Sequence, residues 1–243
     1  MKYDIHTHIL PGMDDGAADA EAALGMLRAE RGQGVEEVAF TPHYYRDRED
    51  PKHFLARRQA ALERLCRAAE KLPAAEREQL PRGVLAAEVA WMPNLSRWEE
   101  LEALCIGKTR YFLLELPFYP WDGQLIDQLY GLLACTRFIP VLAHLERYYA
   151  AQKRAYLQEI CSMGMPVQFS AAPLQHKSGR RQVLSALQTL DACVVASDCH
   201  DLVKRPPDLG PAWRVLEKKL DAKALKRIED RAGMLLEGSV ALA

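Results

Sequence analysis

Two histidines one residue apart, His6 and His8, follow a short apolar start and precede the turn-forming stretch Pro11-Gly12-Met13-Asp14-Asp15-Gly16. On a β-strand, residues i and i+2 face the same side, so both imidazoles can aim at one point. Imidazole nitrogen is the commonest metal ligand in proteins. Alone, the pair reads equally well as two unrelated histidines on an exposed strand. Further residues of ligand type recur along the chain. His43 follows Thr41-Pro42, Glu88 follows Ala86-Ala87, and Glu115 sits in Leu113-Leu114-Glu115-Leu116-Pro117. His144 begins His144-Leu145-Glu146-Arg147, and Asp198 and His200 lie in Ser197-Asp198-Cys199-His200. A carboxylate inside an apolar run is costly unless it is paired or bound to metal. His53 and His176 fall in helix or loop contexts and are assigned surface or local roles.

Apolar runs at 3–8, 36–41, 84–89, 111–116, 138–144, 165–170 and 193–197 have the composition of parallel strands buried on both faces. Between them, helical spacing predicts helices at 18–31, 54–72, 99–105, 124–136, 152–163 and 180–190. Closing helices are predicted at 213–220 and 222–229, with a last turn at 232–236. Seven strands alternating with helices imply a βα-repeat fold of the α/β class. In closed βα barrels, chemistry sits at the C-terminal ends of the strands. Five of the seven histidines and three acidic residues, Glu88, Glu115 and Asp198, fall at or near such ends. Strand six, ending near Gln168 and Ser170, offers no strong ligand. The conjunction predicts a polynuclear metal site, which no single motif would support. Mixed His and carboxylate donors suit Mn²⁺, Fe²⁺ or Zn²⁺ rather than a calcium-selective site.

With 243 residues, 49% apolar and 27% charged, the chain can bury a sizeable core and is not disordered in composition. One domain spanning 1–243 is expected. A formal net charge of −1 gives no general attraction to nucleic acid or anionic membrane. No apolar run approaches the ~20 residues of a membrane helix. Met1-Lys2-Tyr3-Asp4 runs straight into a charged strand rather than a signal-peptide core, so a cytoplasmic protein without membrane insertion is expected. The six cysteines form no Cys-x-x-Cys and read as small buried hydrophobes or free thiols.

Taken together, Asp4-Ile5-His6-Thr7-His8-Ile9-Leu10-Pro11-Gly12-Met13-Asp14-Asp15-Gly16, Ala39-Phe40-Thr41-Pro42-His43, Glu88, Leu114-Glu115-Leu116-Pro117, His144-Leu145-Glu146-Arg147-Tyr148 and Ser197-Asp198-Cys199-His200 resemble the PHP family. More narrowly, they are similar to the CpsB/YwqE-type bacterial protein-tyrosine phosphatases of capsule and exopolysaccharide systems. The resemblance implies a distorted (β/α)7 barrel, TIM-like, and a three-metal arrangement with Mn²⁺ as the favoured ion. His6, His8, Glu88 and Asp198 would hold one metal. Glu88 would bridge to a second, shared with Glu115 and His144. Asp15, His43 and His200 would hold a third, with Asp14 the adjacent alternative to Asp15. Arg147 and Arg205 match positions that handle substrate phosphate. The implied partner is a phosphotyrosine protein, the C-terminal tail of a bacterial tyrosine autokinase; a homo-oligomer is left open. The chain departs from the family at Leu145, at Cys199 and at Ala171-Ala172-Pro173 without losing a proposed ligand.

The expected reaction is attack of a metal-bound hydroxide on the phosphorus of phosphotyrosine. Asp201 is one candidate for the general acid. Four rivals accompany this reading. Cys199 through Arg205 fits Cys-x5-Arg, the loop pattern of thiol-dependent tyrosine phosphatases. Another PHP phosphoesterase, such as a histidinol-phosphate phosphatase, would use the same ligands; an amidohydrolase would need a different strand-four ligand, often lysine, where this chain has Glu115. A non-catalytic, metal-stabilised regulatory module is the alternative of a different class.

Overall fold

The structure, a computed structural model, describes residues 2–135 and 137–242. Its strands are β1 (Tyr3–Thr7), β2 (Glu37–Phe40), β3 (His43–Tyr44), β4 (Arg82–Leu85), β5 (Glu88–Ala90), β6 (Tyr111–Glu115), β7 (Ile139–Leu142), β8 (Val167–Ser170) and β9 (Cys193–Ala196). Every pairing between these strands is parallel. One sheet has the order β1-β2-β4 and the other β3-β5-β6-β7-β8-β9. His8 N donates to Cys199 O (2.9 Å) and Asp198 N to His6 O (2.9 Å), tying the end of β1 to the segment after β9. Parallel strands require long crossovers. Helices α1 (Ala20–Gly32), α2 (Pro51–Ala69), α3 (Ala74–Arg77), α4 (Leu101–Leu104), α5 (Gly123–Cys135), α6 (Arg154–Ser162), α7 (Ala172–Gln175), α8 (Lys177–Thr189), α9 (Leu209–Glu217) and α10 (Ala222–Leu235) lie along the chain between and after them.

All seven predicted strand regions are present, but two are interrupted. The 36–41 run ends at β2, and Pro42, which has no N–H to donate, separates it from β3. The 84–89 run breaks at Ala86-Ala87, between β4 and β5. The buried Arg58 of α2 answers that break, donating to Ala86 O (2.6 Å) and Ala103 O (2.8 Å). Helix ends also differ. α10 runs unbroken where two pieces are predicted, α9 starts four residues early, and α8 starts at Lys177. Thr136, the predicted end of the fifth helix, lies outside the described residues. No helix among the described residues is long and apolar enough to cross a membrane.

Strand alternation sorts the core into two layers. Ile5, Ala39, Val84, Ala86, Leu113, Val141, Ala143, Val194 and Ala196 pack together, with Ala232, Leu235 and Leu236 from the chain's end against them. The residues between them, such as Val38, Phe40, Phe112, Leu114 and Val195, join the larger core beneath the helices. Period-two counting from the first set reaches His43, Glu88, Glu115 and Asp198 at the C-terminal ends. His6 and His144 have the wrong parity, since each directly follows a residue of the inner set. β1 compensates by a register irregularity: Asp4 and Thr7 are three residues apart, while their partners Val38 and Phe40 are two apart. Such an extra residue re-aims the side chains beyond it. At His144 the backbone instead enters the left-handed region, φ 33° and ψ 56°.

After β1 the chain folds back on itself. Ala17 N donates to His8 O (2.9 Å) and Gly12 N to Ala17 O (2.8 Å). Gly12 sits at φ +67°, and a Cβ on Gly16 would lie 2.0 Å from His8 O. Gly16 is therefore fixed by contact with the residue that must present an imidazole. Replacing Gly16 with Ala should destabilise the fold by about 2 kcal/mol and lower Tm by roughly 4–8 °C, as overpacking does. Differential scanning calorimetry checks this; an unchanged Tm would contradict the contact.

Candidate metal centre

Three histidines of the cluster are each aimed by a partner on the ring's other nitrogen. His6 Nδ1 donates to Gln168 Oε1 (3.2 Å), His8 Nδ1 to Asp14 Oδ2 (2.7 Å), and His200 Nδ1 to the Asp198 carbonyl (3.0 Å). These acceptors fix the tautomer and leave Nε2 of each ring free to act as a ligand. The freed nitrogens converge. His6 Nε2 lies 3.1 Å from His8 Nε2, and both lie 3.4–3.5 Å from Glu88 Oε2 and Asp198 Oδ1. Glu88 also meets His43 Nδ1 (2.8 Å) and His144 Nε2 (2.9 Å), and His144 Nε2 lies 3.4 Å from Glu115 Oε1. Asp15 Oδ1 is 3.4 Å from both His43 Nε2 and His200 Nε2.

Three donor groups of the kind that hold a cation result: His6, His8 and Asp198; His43, Glu88 and Glu115; and His8, Asp15, His43 and His200. Eight of the nine ligand residues read from the sequence fall into these groups, His8 and His43 each standing in two; the ninth, His144, lies outside them against Glu88 and Glu115. Asp14 and Asp15 have different surroundings. Asp14 accepts from His8, from His43 N (2.9 Å) and from Gly16 N (3.0 Å), so it braces the ring and the loop. The Asp15 carboxylate is largely exposed and faces two imidazoles. Glu88 Oε2, His43 Nδ1, His144 Nδ1 and His200 Nε2 are buried without a well-aligned hydrogen bond. Buried polar atoms left in this state near others of complementary donor chemistry fit divalent ions.

The electrostatics agree. Burial opposes charge on His8, but hydrogen bonds and charge from Asp14 and Glu88 outweigh it and push its pKa up to about 10. At His144, burial is likewise overcome by Glu115 and Glu88, giving about 9. Burial would raise Glu88 and Asp198, yet His6 and the neighbouring rings hold Glu88 well below the usual carboxylate range, and His6 and Arg147 hold Asp198 at about 2. His200 is pushed down to about 4 by burial, His8 and Arg205. The pocket binds positive charge strongly, and protons supply it when no metal does.

Arg147 and Arg205 come together on one oxygen, Asp198 Oδ2; the Arg205 Nη2 contact is 2.8 Å. They descend from different strand ends, so the sequence alone does not pair them. Asp198 is itself in the left-handed region, φ 55°. Gln168, unassigned as a ligand in the sequence, proves to be a positioning residue: besides holding His6, its Oε1 accepts from His144 N (2.7 Å). An amide on the inner parity of an otherwise apolar strand was the available signal.

Two alternatives raised by the sequence lose support. Cys199 is fully buried, its Sγ 3.7 Å from Glu30 Oε1, and burial with the nearby carboxyls raises its pKa well above the usual thiol value. Such a thiol is inert. The N–H groups of Val203, Lys204 and Arg205, which a Cys-x5-Arg loop would offer to phosphate, all donate to Asp201 Oδ1. Those donors favour the Asp201 carboxylate and hold its pKa low. Glu30 itself forms a buried carboxyl pair with Asp4. Burial and the Asp4 charge push Glu30 well above the usual carboxylate range, and burial raises Asp4 as well.

The CpsB/CapC capsular polysaccharide synthesis family matches residues 2–236, and the chain belongs to that family. The tyrosine-protein phosphatase YwqE of Bacillus subtilis is 29% identical over 245 residues, covering 96% of this chain and 91% of the relative. The tyrosine-protein phosphatase CpsB of Streptococcus pneumoniae is 27% identical over 241 residues, covering 93% of each. Among solved structures, a chain from the crystal structures of these two metal-dependent tyrosine phosphatases superposes with a TM-score of 0.77 at 24% identity, covering 98% of this chain and 95% of the other. A mutant organophosphorus hydrolase from Deinococcus radiodurans shares the fold at a TM-score of 0.53 and 16% identity, over 97% and 92% of the two chains.

Two outcomes test the centre. Apo His8 and His144, with pKa values of about 10 and about 9, hold protons throughout pH 6–8 and must release them to bind metal. Apparent metal affinity should therefore tighten as pH rises, by about tenfold per unit for each proton released. Chelator competition at pH 6, 7 and 8 measures this, and a flat profile would contradict it. Gln168→Leu keeps the volume but removes the acceptor, and should weaken metal binding by about 10–100-fold in the same assay.

Proposed function

We propose that this chain is a metal-dependent protein-tyrosine phosphatase, folded as one domain over residues 1–243. The observation that carries the reading is the joint placement of three adjoining cation-type donor groups with two arginines at their edge. The named relatives, both tyrosine-protein phosphatases, give the substrate class. His6, His8, Glu88 and Asp198 would hold one ion, Glu88, Glu115 and His144 a second, and Asp15, His43 and His200 a third. Mn²⁺ is the favoured ion, with Fe²⁺ or Zn²⁺ as alternatives; two to three are bound. When bound, such ions supply an activated water and neutralise phosphoryl oxygens.

The chain's own groups do the rest. Arg147 and Arg205 present planar guanidinium groups whose charge and N–H donors match phosphate oxygens. Asp198 Oδ2 holds both of them at the cluster's edge. Gln168 and Asp14 keep His6 and His8 in their ligating tautomers. His200, with its pKa of about 4, stays neutral at working pH and so offers a lone pair rather than a proton. We assign the substrate as a phosphotyrosine protein, the C-terminal tail of a tyrosine autokinase that controls capsule or exopolysaccharide synthesis, in the cytoplasm. An oligomeric assembly is compatible with this assignment.

The test is hydrolysis of phosphotyrosyl peptide against histidinol phosphate by metal-depleted protein reconstituted with Mn²⁺, Zn²⁺ or Fe²⁺. Phosphotyrosine should be preferred, chelator should abolish turnover, and Cys199→Ser should stay active. Preference for histidinol phosphate would overturn the substrate class. Full metal occupancy with no phosphomonoester turnover would instead indicate the regulatory module.

A further inference from the structure

The loop after β6 carries an aromatic side chain that the metal chemistry does not use. Phe118 is 49% exposed, yet its ring stacks against His144 (centroids 6.0 Å apart, 15° between planes) and against Tyr148 (5.3 Å, 28°). Its neighbours in sequence are pinned by buried polar groups. The Tyr148 hydroxyl accepts from Leu116 N (2.9 Å) and donates to Leu116 O (3.1 Å). Gln152 accepts from Trp121 N (2.7 Å) and donates to Tyr119 O (3.0 Å), while Trp121 Nε1 donates to Pro117 O (2.9 Å). Pro117 and Pro120 further limit the backbone. A half-exposed apolar ring is thus carried on a backbone held by buried hydrogen bonds.

That place is specific. His144 is a candidate ligand, and Tyr148 adjoins Arg147 in sequence. An ester substituent that leaves the pocket past His144 would meet the Phe118 ring, which stacks on that histidine. Tyr45, near His43 on another side (5.6 Å), is less available, because the Arg48 guanidinium lies over its ring at 4.4 Å. Among the described residues, no cation lies over the Phe118 ring.

We propose that Phe118 is the specificity-determining wall for the aryl group of the substrate, stacking on the phenyl ring of phosphotyrosine. This rests on the phosphotyrosine reading above and deepens it. Aromatic pairs prefer offset-stacked or edge-on geometry and add to the gain from burying the ring faces. A phosphoserine side chain ends one methylene from the ester oxygen and cannot reach such a wall with an aromatic face. The rigid loop means that little conformational freedom is lost on binding.

The experiment uses the metal-loaded full chain. Wild type, Phe118→Ala and Phe118→Trp are compared by kcat/KM on a phosphotyrosyl peptide and by the inhibition constants of phenylphosphonate and inorganic phosphate, with bound metal quantified for each. Phe118→Ala should lower kcat/KM about tenfold, mainly through KM, and weaken phenylphosphonate about tenfold. Its metal content and its inhibition constant for inorganic phosphate should stay within about twofold of wild type. Phe118→Trp should retain aryl binding. Equal weakening of phenylphosphonate and inorganic phosphate, or no change in either aryl readout, would overturn the role of Phe118 while leaving the phosphatase reading intact. Wild type that turns over no phosphotyrosyl peptide would overturn the parent reading and this one together.

Discussion

The structure depends on gathering anionic and imidazole groups where water is excluded. Glu88 is 1% exposed and stands within reach of four histidines. A buried carboxylate without compensation is strongly destabilising. Compensation here comes from every side: from imidazoles that rise in pKa, from two arginines on Asp198, and from divalent ions when present. The parallel strands supply the geometry, since only their ends converge closely enough to bring residues 6 and 200 into one pocket. The opposite end is sealed by apolar side chains of α10 and the residue after it, so burial for stability and burial for chemistry are separated along the strand direction.

The seven strand regions were legible because buried parallel strands are nearly continuous apolar runs, and each polar interruption in them stands out. Glu88, Glu115, His43 and Asp198 were legible for the same reason, lying on the parity that faces inward. The aiming of His6 and His144 was not. Simple alternation sends both outward, and the chain corrects it by an extra residue in β1 and by left-handed backbone at position 144. Neither leaves a mark in composition. The strand breaks at Pro42 and at Ala86-Ala87 divide opinion differently: proline announces the first, while the second depends on Arg58, a charge whose buried role no local pattern reveals.

Cys199 illustrates how a motif can be present without its chemistry. The spacing to Arg205 is correct for a phosphate loop, but a phosphate loop needs free N–H groups and an ionisable thiol. Here Asp201 occupies the N–H groups, and the thiol lies against the buried carboxyl of Glu30, whose pKa burial and Asp4 push up. The segment after β9 thus has two sides. One closes against α1 through neutral, buried contacts, and the other presents Asp198 and His200 to the cluster.

The carboxylate of Asp198 is divided between two duties: Oδ1 faces His6 and His8, and Oδ2 holds the two guanidinium groups. In the proposed reaction this makes Asp198 an internal rival of phosphate. Substrate must exchange with Oδ2 for the same donors, and inorganic phosphate, once formed, is exposed to displacement by an anion that never diffuses away. One tethered oxygen keeps both guanidinium groups gathered at the cluster's edge.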